Sequence, residues 1–352
     1  MKILLVRLAA VGDVMRVLSL AQAIRKALPD ATIDFAVSKM ASEAVEGHEA
    51  IDNVQVWESP KSLIKRPFAF LKYLHKIKSQ RYDVALDFHA VHLRSGLVAG
   101  ASCAPRRYGF PAWRCRNMTY LFTNIKVDLP GHYMNRVDEF TCLVQPIVPG
   151  AVAIRTPIAL NRQHRESAEK FWRENLDFSR PTVMVHAPVG EERKRWPLKR
   201  FAELADRLLE EDRVNVVLTC GPGQGDQVRA MVENMQRTPV VVPESLPLKD
   251  LAALIERADL FVSIDTGPMH IANALGVPVV VLSCNTYIMA HRPYWEPQRV
   301  LYYPIHKLRS LSDNLRETGG GLDQIDVESV HQACVEMLAL SASRFSAKST
   351  SQ

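Results

Sequence analysis

Two apolar runs bracket a polar octet in this chain, and that arrangement restricts the fold more than any other feature. Leu260-Phe261-Val262 reads as a buried parallel strand, Ile271 to Leu275 as helix, and Val277 to Leu282 as the next strand. Between them stands Ser263-Ile-Asp-Thr-Gly-Pro-Met-His270. Asp265, Thr266 and Gly267 therefore fall where the carboxyl end of a strand turns into a helix, the edge at which open α/β sheets bind ligands. Gly267 lets a ligand approach the backbone, and the helix start offers free N–H groups and a positive dipole end. A diphosphate suits such a place. The competing reading is that Asp265 and Thr266 only cap the helix.

The same alternation recurs along the chain. Strands are expected at Ile3–Val6, Ile33–Val37, Val54–Val56 and Val84–Phe88, with helices at Asp13–Leu28, Lys61–Gln80 and about 93–100. Alternation with short turns means parallel βαβ units. Three prolines and a glycine between Pro146 and Pro157 mark the linker. The pattern then restarts, with strands at Val183–His186, Asn215–Leu218, Val240–Val242, Leu260–Val262 and Val279–Leu282. Helices are expected near Gln163–Asn175 and at Leu198–Glu211, Asp226–Met235 and Leu248–Arg257. The chain is thus expected to hold two similar halves, residues 1–155 and 156–325. A C-terminal helix over 326–341 and a disordered Ser-rich tail over 342–352 follow.

A chain of 352 residues is long for one core, in keeping with two domains. It has no apolar run of about 18 residues, the length needed to span a bilayer. The N-terminal apolar run is too short for a signal peptide and is interrupted by Arg7, so a cytoplasmic location is expected. Six scattered cysteines form no Cys-x-x-Cys pair or Cys/His cluster, so neither zinc nor disulfides are expected. The net charge of +6 is lopsided. Residues 1–150 hold 20 Lys and Arg against 13 Asp and Glu, whereas the remainder holds 24 against 25. The first half is expected to meet something anionic, unless the cations merely solvate exposed helices.

Three further turns carry candidate chemistry. The first, Leu8-Ala-Ala-Val-Gly-Asp13, lacks the Gly-x-Gly-x-x-Gly dinucleotide pattern but sets an acid at a helix start, with Gly12 before it. Asp13 there is a candidate general base or a helix cap. In the second, Arg193, Lys194 and Arg195 precede Trp196-Pro197 after a strand. Such a run suits a diphosphate or is simply a solvated charge run. The third, Gly221-Pro-Gly-Gln-Gly-Asp226, either approaches a ribose or phosphate or is a plain turn.

Taken together, the opening strand with Val11-Gly12-Asp13, Tyr82-Asp-Val-Ala-Leu-Asp-Phe-His89, Arg94-Ser-Gly-Leu-Val-Ala99, Ala104-Pro-Arg-Arg-Tyr-Gly-Phe110, Lys194-Arg-Trp-Pro197 and Asp265-Thr-Gly-Pro-Met-His270 resemble the bacterial heptosyltransferases of glycosyltransferase family 9. The resemblance runs from residue 1 to about 282. It implies an α/β, GT-B fold: two Rossmann-like domains facing each other across a cleft that closes on substrate. It further implies an inverting, metal-independent transfer of heptose from ADP-heptose to the lipopolysaccharide inner core, with no cofactor beyond that donor. The acceptor belongs to the first domain and the donor to the second. The enzyme would sit peripherally at the inner face of the inner membrane, where the basic Lys61–Lys78 stretch is expected to meet anionic lipid.

Carried over residue by residue, Asp13 matches the catalytic base, and Arg7, Gly12 and Arg116 the acceptor side. Lys194 matches the lysine facing the donor phosphates, and Arg195 stands beside it. Asp226 and Leu246 stand near the ribose and the adenine. Asp265, Thr266, Gly267 and His270 match the donor motif. The loop Ser283-Cys-Asn-Thr-Tyr287 departs from the family's Gly-containing turn, and Ser19 replaces a usual proline. The alternatives are a related transferase with another nucleotide sugar, a catalytically silent nucleotide-sugar-binding module, and a basic nucleic-acid-binding protein. The intact Asp13 speaks against the second. The lack of interleaved aromatics and of any recognition motif speaks against the third.

Overall fold

The structure, a computed structural model, describes residues 1–58, 67–89, 92–115, 118–131, 134–188, 190, 195–210, 214–244, 246–284, 288–303 and 321–349. The chain divides into two units, Met1–Ala159 and Leu160–Gln352. The first carries six parallel strands: β1 (Lys2–Arg7), β2 (Thr32–Ser38), β3 (Asn53–Trp57), β4 (Val84–Asp87), β5 (Arg106–Gly109) and β6 (Ile125–Lys126). Their order is β3-β2-β1-β4-β5-β6. The second carries β7 (Thr182–His186), β8 (Asn215–Leu218), β9 (Val240–Val241), β10 (Leu260–Ile264), β11 (Val279–Ser283) and β12 (Gln298–Tyr302), in the order β12-β11-β10-β7-β8-β9. The two orders are equivalent. Each sheet runs outward from its first strand on one side and then starts again on the other. The resulting switch points, β1/β4 and β7/β10, are where a doubly wound sheet leaves a crevice for ligands.

Helices cover both faces of each sheet. The first unit has α1 (Val11–Ala27), α2 (Pro67–Ser79), α3 (Leu93–Ala101) and α4 (Arg136–Val144). Side chains alternate across β1. Leu4, Val6 and Leu8 pack with Phe70, Tyr73 and Ile77 of α2 and with Val98 and Ala99 of α3. Arg7 points the other way, its guanidinium 5.2 Å from the ring centre of Phe140 on α4. The second unit has α5 (Arg162–Asn175), α6 (Leu198–Glu210), α7 (Gly225–Val232), α8 (Leu248–Glu256), α9 (Gly267–Leu275), α10 (Ile288–His291) and α11 (Val327–Ser349). One of its faces buries Phe201, Leu204 and Leu208 of α6 with Val330, Cys334 and Met337 of α11 over Val183, Val185, Val262 and Leu282. Gly276 ends α9 at φ 82°, a left-handed turn that glycine adopts without a Cβ clash.

Three features differ from the sequence-based expectation. The proline-rich stretch from Pro146 to Pro157 lies along the first unit: Ile154 N–H donates to the Ser19 carbonyl at 3.1 Å, and Ala151, Ala153, Thr156 and Ile158 are buried. The division therefore falls at Ala159, beyond the expected 155. The C-terminal helix runs to Ser349, into the stretch expected as a disordered tail from 342, because Val327–Ser349 holds no glycine or proline to stop it. Of the expected basic helix, Pro67–Ser79 is helical; Lys61, Lys65 and Arg66 lie outside the described residues.

Candidate active site

Both strands at the β1/β4 switch point bring charge to it. β1 ends on Arg7, and α1 starts at Val11, so Asp13 is the third residue of α1 and not its cap. The cap position is Ala10, whose side chain makes no capping bond. The carboxylate of Asp13 takes two guanidiniums instead. Arg7 Nη2 lies 2.8 Å from Oδ2, and Arg16 Nη1, one turn further along the helix, lies 2.8 Å from Oδ1. Arg7 also donates to the Phe88 carbonyl. The two arginine side chains are 10% and 6% exposed while that of Asp13 is 26% exposed, so the carboxylate is the member that faces solvent. Burial pushes Asp13 up. The Arg7 and Arg16 charges and the Arg7 hydrogen bond outweigh it and hold the carboxyl well below its usual range.

Behind this group lie residues that sequence reasoning did not single out. Asp87, at the end of β4, is buried and accepts the His89 N–H at 3.0 Å. Burial pushes Asp87 up to about 6 despite that hydrogen bond and the Arg7 charge. Burial, with the Arg7 and His92 charges, pushes His89 down to about 2, so its imidazole is neutral. The His89 and His92 rings lie 4.6 Å apart. On α4, buried Glu139 binds Arg114 (Nη2 to Oε2, 3.1 Å) and Arg136, whose charge in turn feels that of Arg16. Glu139 is lowered; burial opposes this, and its two arginine partners prevail. At neutral pH four guanidiniums stand against three carboxylates, Asp87 being ionised above about 6, which leaves this edge positive and suits an acidic substrate group.

Asp87 yields a stability prediction. Its folded pKa lies above the unfolded value of 3.8. The folded state therefore binds the extra proton, and stability falls as pH rises from about 4 through about 6. Asp87→Asn removes the buried charge. It is expected to raise the melting temperature of the first unit at pH 8, by an amount equivalent to at most about 3 kcal/mol, and to change little at pH 4. Thermal melts at the two pH values check this.

In the second unit, β7 and β10 run side by side with His186 opposite Ser263. β10 ends at Ile264, and α9 is capped at Thr266 with no side-chain capping bond. Thr266 Oγ1 lies 2.9 Å from Ser263 Oγ, so the hydroxyl is engaged with the strand and not with the N–H groups of α9. This disfavours the cap reading of Thr266. His270 Nε2 stands 3.8 Å from Asp265 Oδ1, bringing the two ends of the motif together. Arg195 is half-buried at the carboxyl edge of β7. It is followed by fully buried Trp196, whose Nε1 donates to the Ile325 carbonyl at 2.9 Å. Lys194 lies outside the described residues, as do Arg193, Arg116 and Asn285–Tyr287.

The other expected donor residues occupy neighbouring loops. Leu246 is half-buried between β9 and α8. Asp226 is exposed on the first turn of α7 and pairs with Arg229. The glycine-rich turn before it serves itself: Gly221 N–H donates to Gln224 Oε1 at 2.9 Å, Gly223 sits at φ 76°, and a Cβ on Gly225 would meet Glu244 Oε2 at 2.2 Å. Of the three glycines, Gly223 is the one whose backbone, at positive φ, favours glycine. Arg16 carried a signal in the sequence, standing three residues after Asp13 on a helix. Asp87 carried one as well, at the end of the apolar run Val84–Leu86, and Glu139 stands three residues after Arg136, but only the fold brings Glu139 to Arg114.

Known proteins share this architecture. A model of glycosyltransferase family 9 (heptosyltransferase) matches residues 70–317. The lipopolysaccharide core heptosyltransferase OpsX of Haemophilus influenzae is 26% identical over 297 residues, which cover 82% of this chain and 81% of that protein. A glycosyltransferase family 9 structure from Veillonella parvula superposes with a TM-score of 0.82 at 22% identity, covering 96% of this chain and 97% of that one. The E. coli heptosyltransferase WaaC with ADP superposes with a TM-score of 0.73 at 20% identity, covering 96% and 100%. The two doubly wound units are thus those of a GT-B glycosyltransferase. More particularly, the chain belongs to glycosyltransferase family 9, the heptosyltransferases.

Proposed function

We propose that this enzyme transfers a heptose, with inversion and without a metal, from ADP-heptose to the inner core of lipopolysaccharide. The observation that carries the reading is Asp13, a partly exposed carboxylate whose two oxygens are each fixed by an arginine at the switch point of the first unit. The acceptor hydroxyl attacks the anomeric carbon, its proton passes to Asp13, and the bond from that carbon to the diphosphate breaks with ADP as leaving group. In this reading Arg7, which also holds Asp13 in place, belongs with Gly12 and Arg116 to the acceptor side. Lys194, Arg195 and the start of α9 after Asp265 stabilise the charge that develops on the diphosphate. Asp226, Leu246, Thr266, Gly267 and His270 complete the donor side. OpsX acts on the lipopolysaccharide core and WaaC is seen with ADP, which supports both substrates.

The acceptor's lipid anchor sets the place of work at the inner face of the inner membrane. No described helix is long and apolar enough to cross a membrane, so the reading is of peripheral attachment. Thermal shift with ADP, UDP, GDP and ADP-heptose tests the donor. Stabilisation grows with ligand concentration over Kd, so ADP and ADP-heptose are expected to shift the melt furthest. A larger shift with UDP or GDP would assign a different nucleotide sugar. Asp265→Ala and Lys194→Ala are each expected to weaken ADP binding by roughly 1.5–3 kcal/mol, the worth of a charged hydrogen bond. Unchanged binding in both variants, by calorimetry, would remove the donor from the second unit.

A further inference from the structure

We propose that the first unit docks on an anionic bilayer through an apolar rim made by the first turns of α2 and α3 and the short helix Thr119–Phe122. The choice of a lipid partner rests on the proposed lipid-borne acceptor; the surface itself rests on the observations below.

The inward face of α2 is already used. Phe70, Tyr73 and Ile77 are buried, with Phe70 and Tyr73 against the Trp57 ring at 5.0 and 5.3 Å. Phe68 and Leu71 are therefore surplus to the core, and they are 84% and 60% exposed. Leu93, which opens α3, and Met118 and Leu121 beside it are exposed as well. These elements are contiguous: α2 packs on α3, and Phe122 fills the groove over Gly96 and Gly100 of α3. Large apolar side chains gathered on packed neighbours are the mark of an interaction surface.

Their place in the fold matters. The last turn of α2 lies at the amino edge of the sheet, where Lys2 Nζ donates to Gln80 Oε1 at 2.9 Å. Its first turn, with Phe68 and Leu71, therefore stands at the carboxyl edge, the one that carries Asp13. α3 begins shortly after β4 at that same edge. A lipid-anchored substrate reaching Asp13 would approach this same edge of the sheet.

The charge of the same stretch selects the partner. On α2, Lys72 and Lys76 follow the apolar first turn, and Arg94 stands on the first turn of α3. Exposed Glu58 and Asp128, just beyond β3 and β6, are acids on this edge, whereas the two acids within residues 67–126 do not offset the cations there. Asp87 is buried, and Asp83 binds the Lys2 backbone N–H at the opposite edge. Apolar anchors flanked by Lys72 and Lys76, with no acid on α2, fit the headgroup region of an anionic membrane.

The test uses the full chain and vesicles of phosphatidylcholine with or without phosphatidylglycerol, with no acceptor or sugar donor present. The wild type is expected to sediment with the anionic vesicles and to be released by salt, as the Debye length shrinks. Phe68→Ser with Leu71→Ser is expected to weaken binding at least about tenfold and to leave the salt dependence unchanged. Lys72→Gln with Lys76→Gln is expected to weaken it about tenfold to thirtyfold and to flatten the salt dependence. ADP-induced stabilisation should persist in both, showing that the chain is folded. Vesicle binding by the Phe68/Leu71 variant equal to that of the wild type overturns the proposal. So does a wild type that ignores anionic vesicles, or one that forms a dimer dissolved by the same two substitutions. Because vesicle binding involves no sugar transfer, it can fail while the heptosyltransferase reading stands, and the reverse.

Discussion

Asp13→Asn is expected to lower turnover about 10²–10⁴-fold while ADP binding stays unchanged. Asparagine keeps the size of the side chain and one oxygen for the arginines, but it cannot take a proton from the acceptor hydroxyl. Arg7 and Arg16 sharpen the prediction, since they hold the carboxylate in one orientation and keep it ionised. The stabilising pairing of Asp13 is complete above its ordinary range and is lost as pH falls through the lowered value. Arg16→Gln removes one of the two charges that depress the carboxyl. Its affinity for protons rises, and the acid limb of the rate profile is expected to move toward higher pH than in the wild type. Near-normal turnover of Asp13→Asn, measured with saturating donor, would make the Asp13 cluster structural.

Trp196→Ala is expected to have the largest effect on stability. Trp196 is fully buried, stands edge-on to Phe201 with ring centres 4.7 Å apart, and donates to the Ile325 carbonyl. Replacing such a residue by alanine costs about 3–5 kcal/mol through lost burial and the remaining cavity. The Ile325 carbonyl keeps a bond from Arg200 Nη1 at 2.8 Å, so the cost of an unpaired acceptor is partly offset. At about 2–4 °C per kcal/mol for a unit of this size, the second transition is expected to fall by roughly 6–20 °C. Calorimetry checks this, with the transition of the first unit staying in place. Trp196 also ties the loop carrying Arg195 to the start of α11, so ADP binding is expected to weaken with it.

Local chemistry made much of this molecule readable. Near-continuous apolar runs such as Ile3–Val6 and Val279–Leu282 can only be doubly covered strands. An acid or a glycine directly after such a run falls at the carboxyl edge by necessity, which is why Asp13 and Asp265 were visible in advance. Three strands, β5, β6 and β12, were not. Arg106-Arg-Tyr-Gly109 (β5) is short and charged, and its strand character comes from pairing with β4. β12 likewise owes its register to β11. The serine content of the C-terminus concealed a helix that simply lacks a breaker. In the site, Arg114 comes to Glu139 from a segment far away in sequence, so no spacing pattern announces that pair. Arg7 illustrates another point: its pairing with Asp13 and its bond to the Phe88 carbonyl depend on the fold and had no counterpart in the sequence reading.

The central claim is heptosyl transfer from ADP-heptose with Asp13 as the base. Its most direct measurement is a reaction of the purified full-length protein with ADP-heptose and an inner-core acceptor. ADP release, the mass of the acceptor and the anomeric configuration of the new linkage are read together. The predicted result is one ADP released for each acceptor that gains one heptose, in the configuration opposite to that of the donor, with both signals lost in Asp13→Asn. Retained configuration, or ADP release with an unmodified acceptor in the wild type and in Asp13→Asn alike, would contradict it.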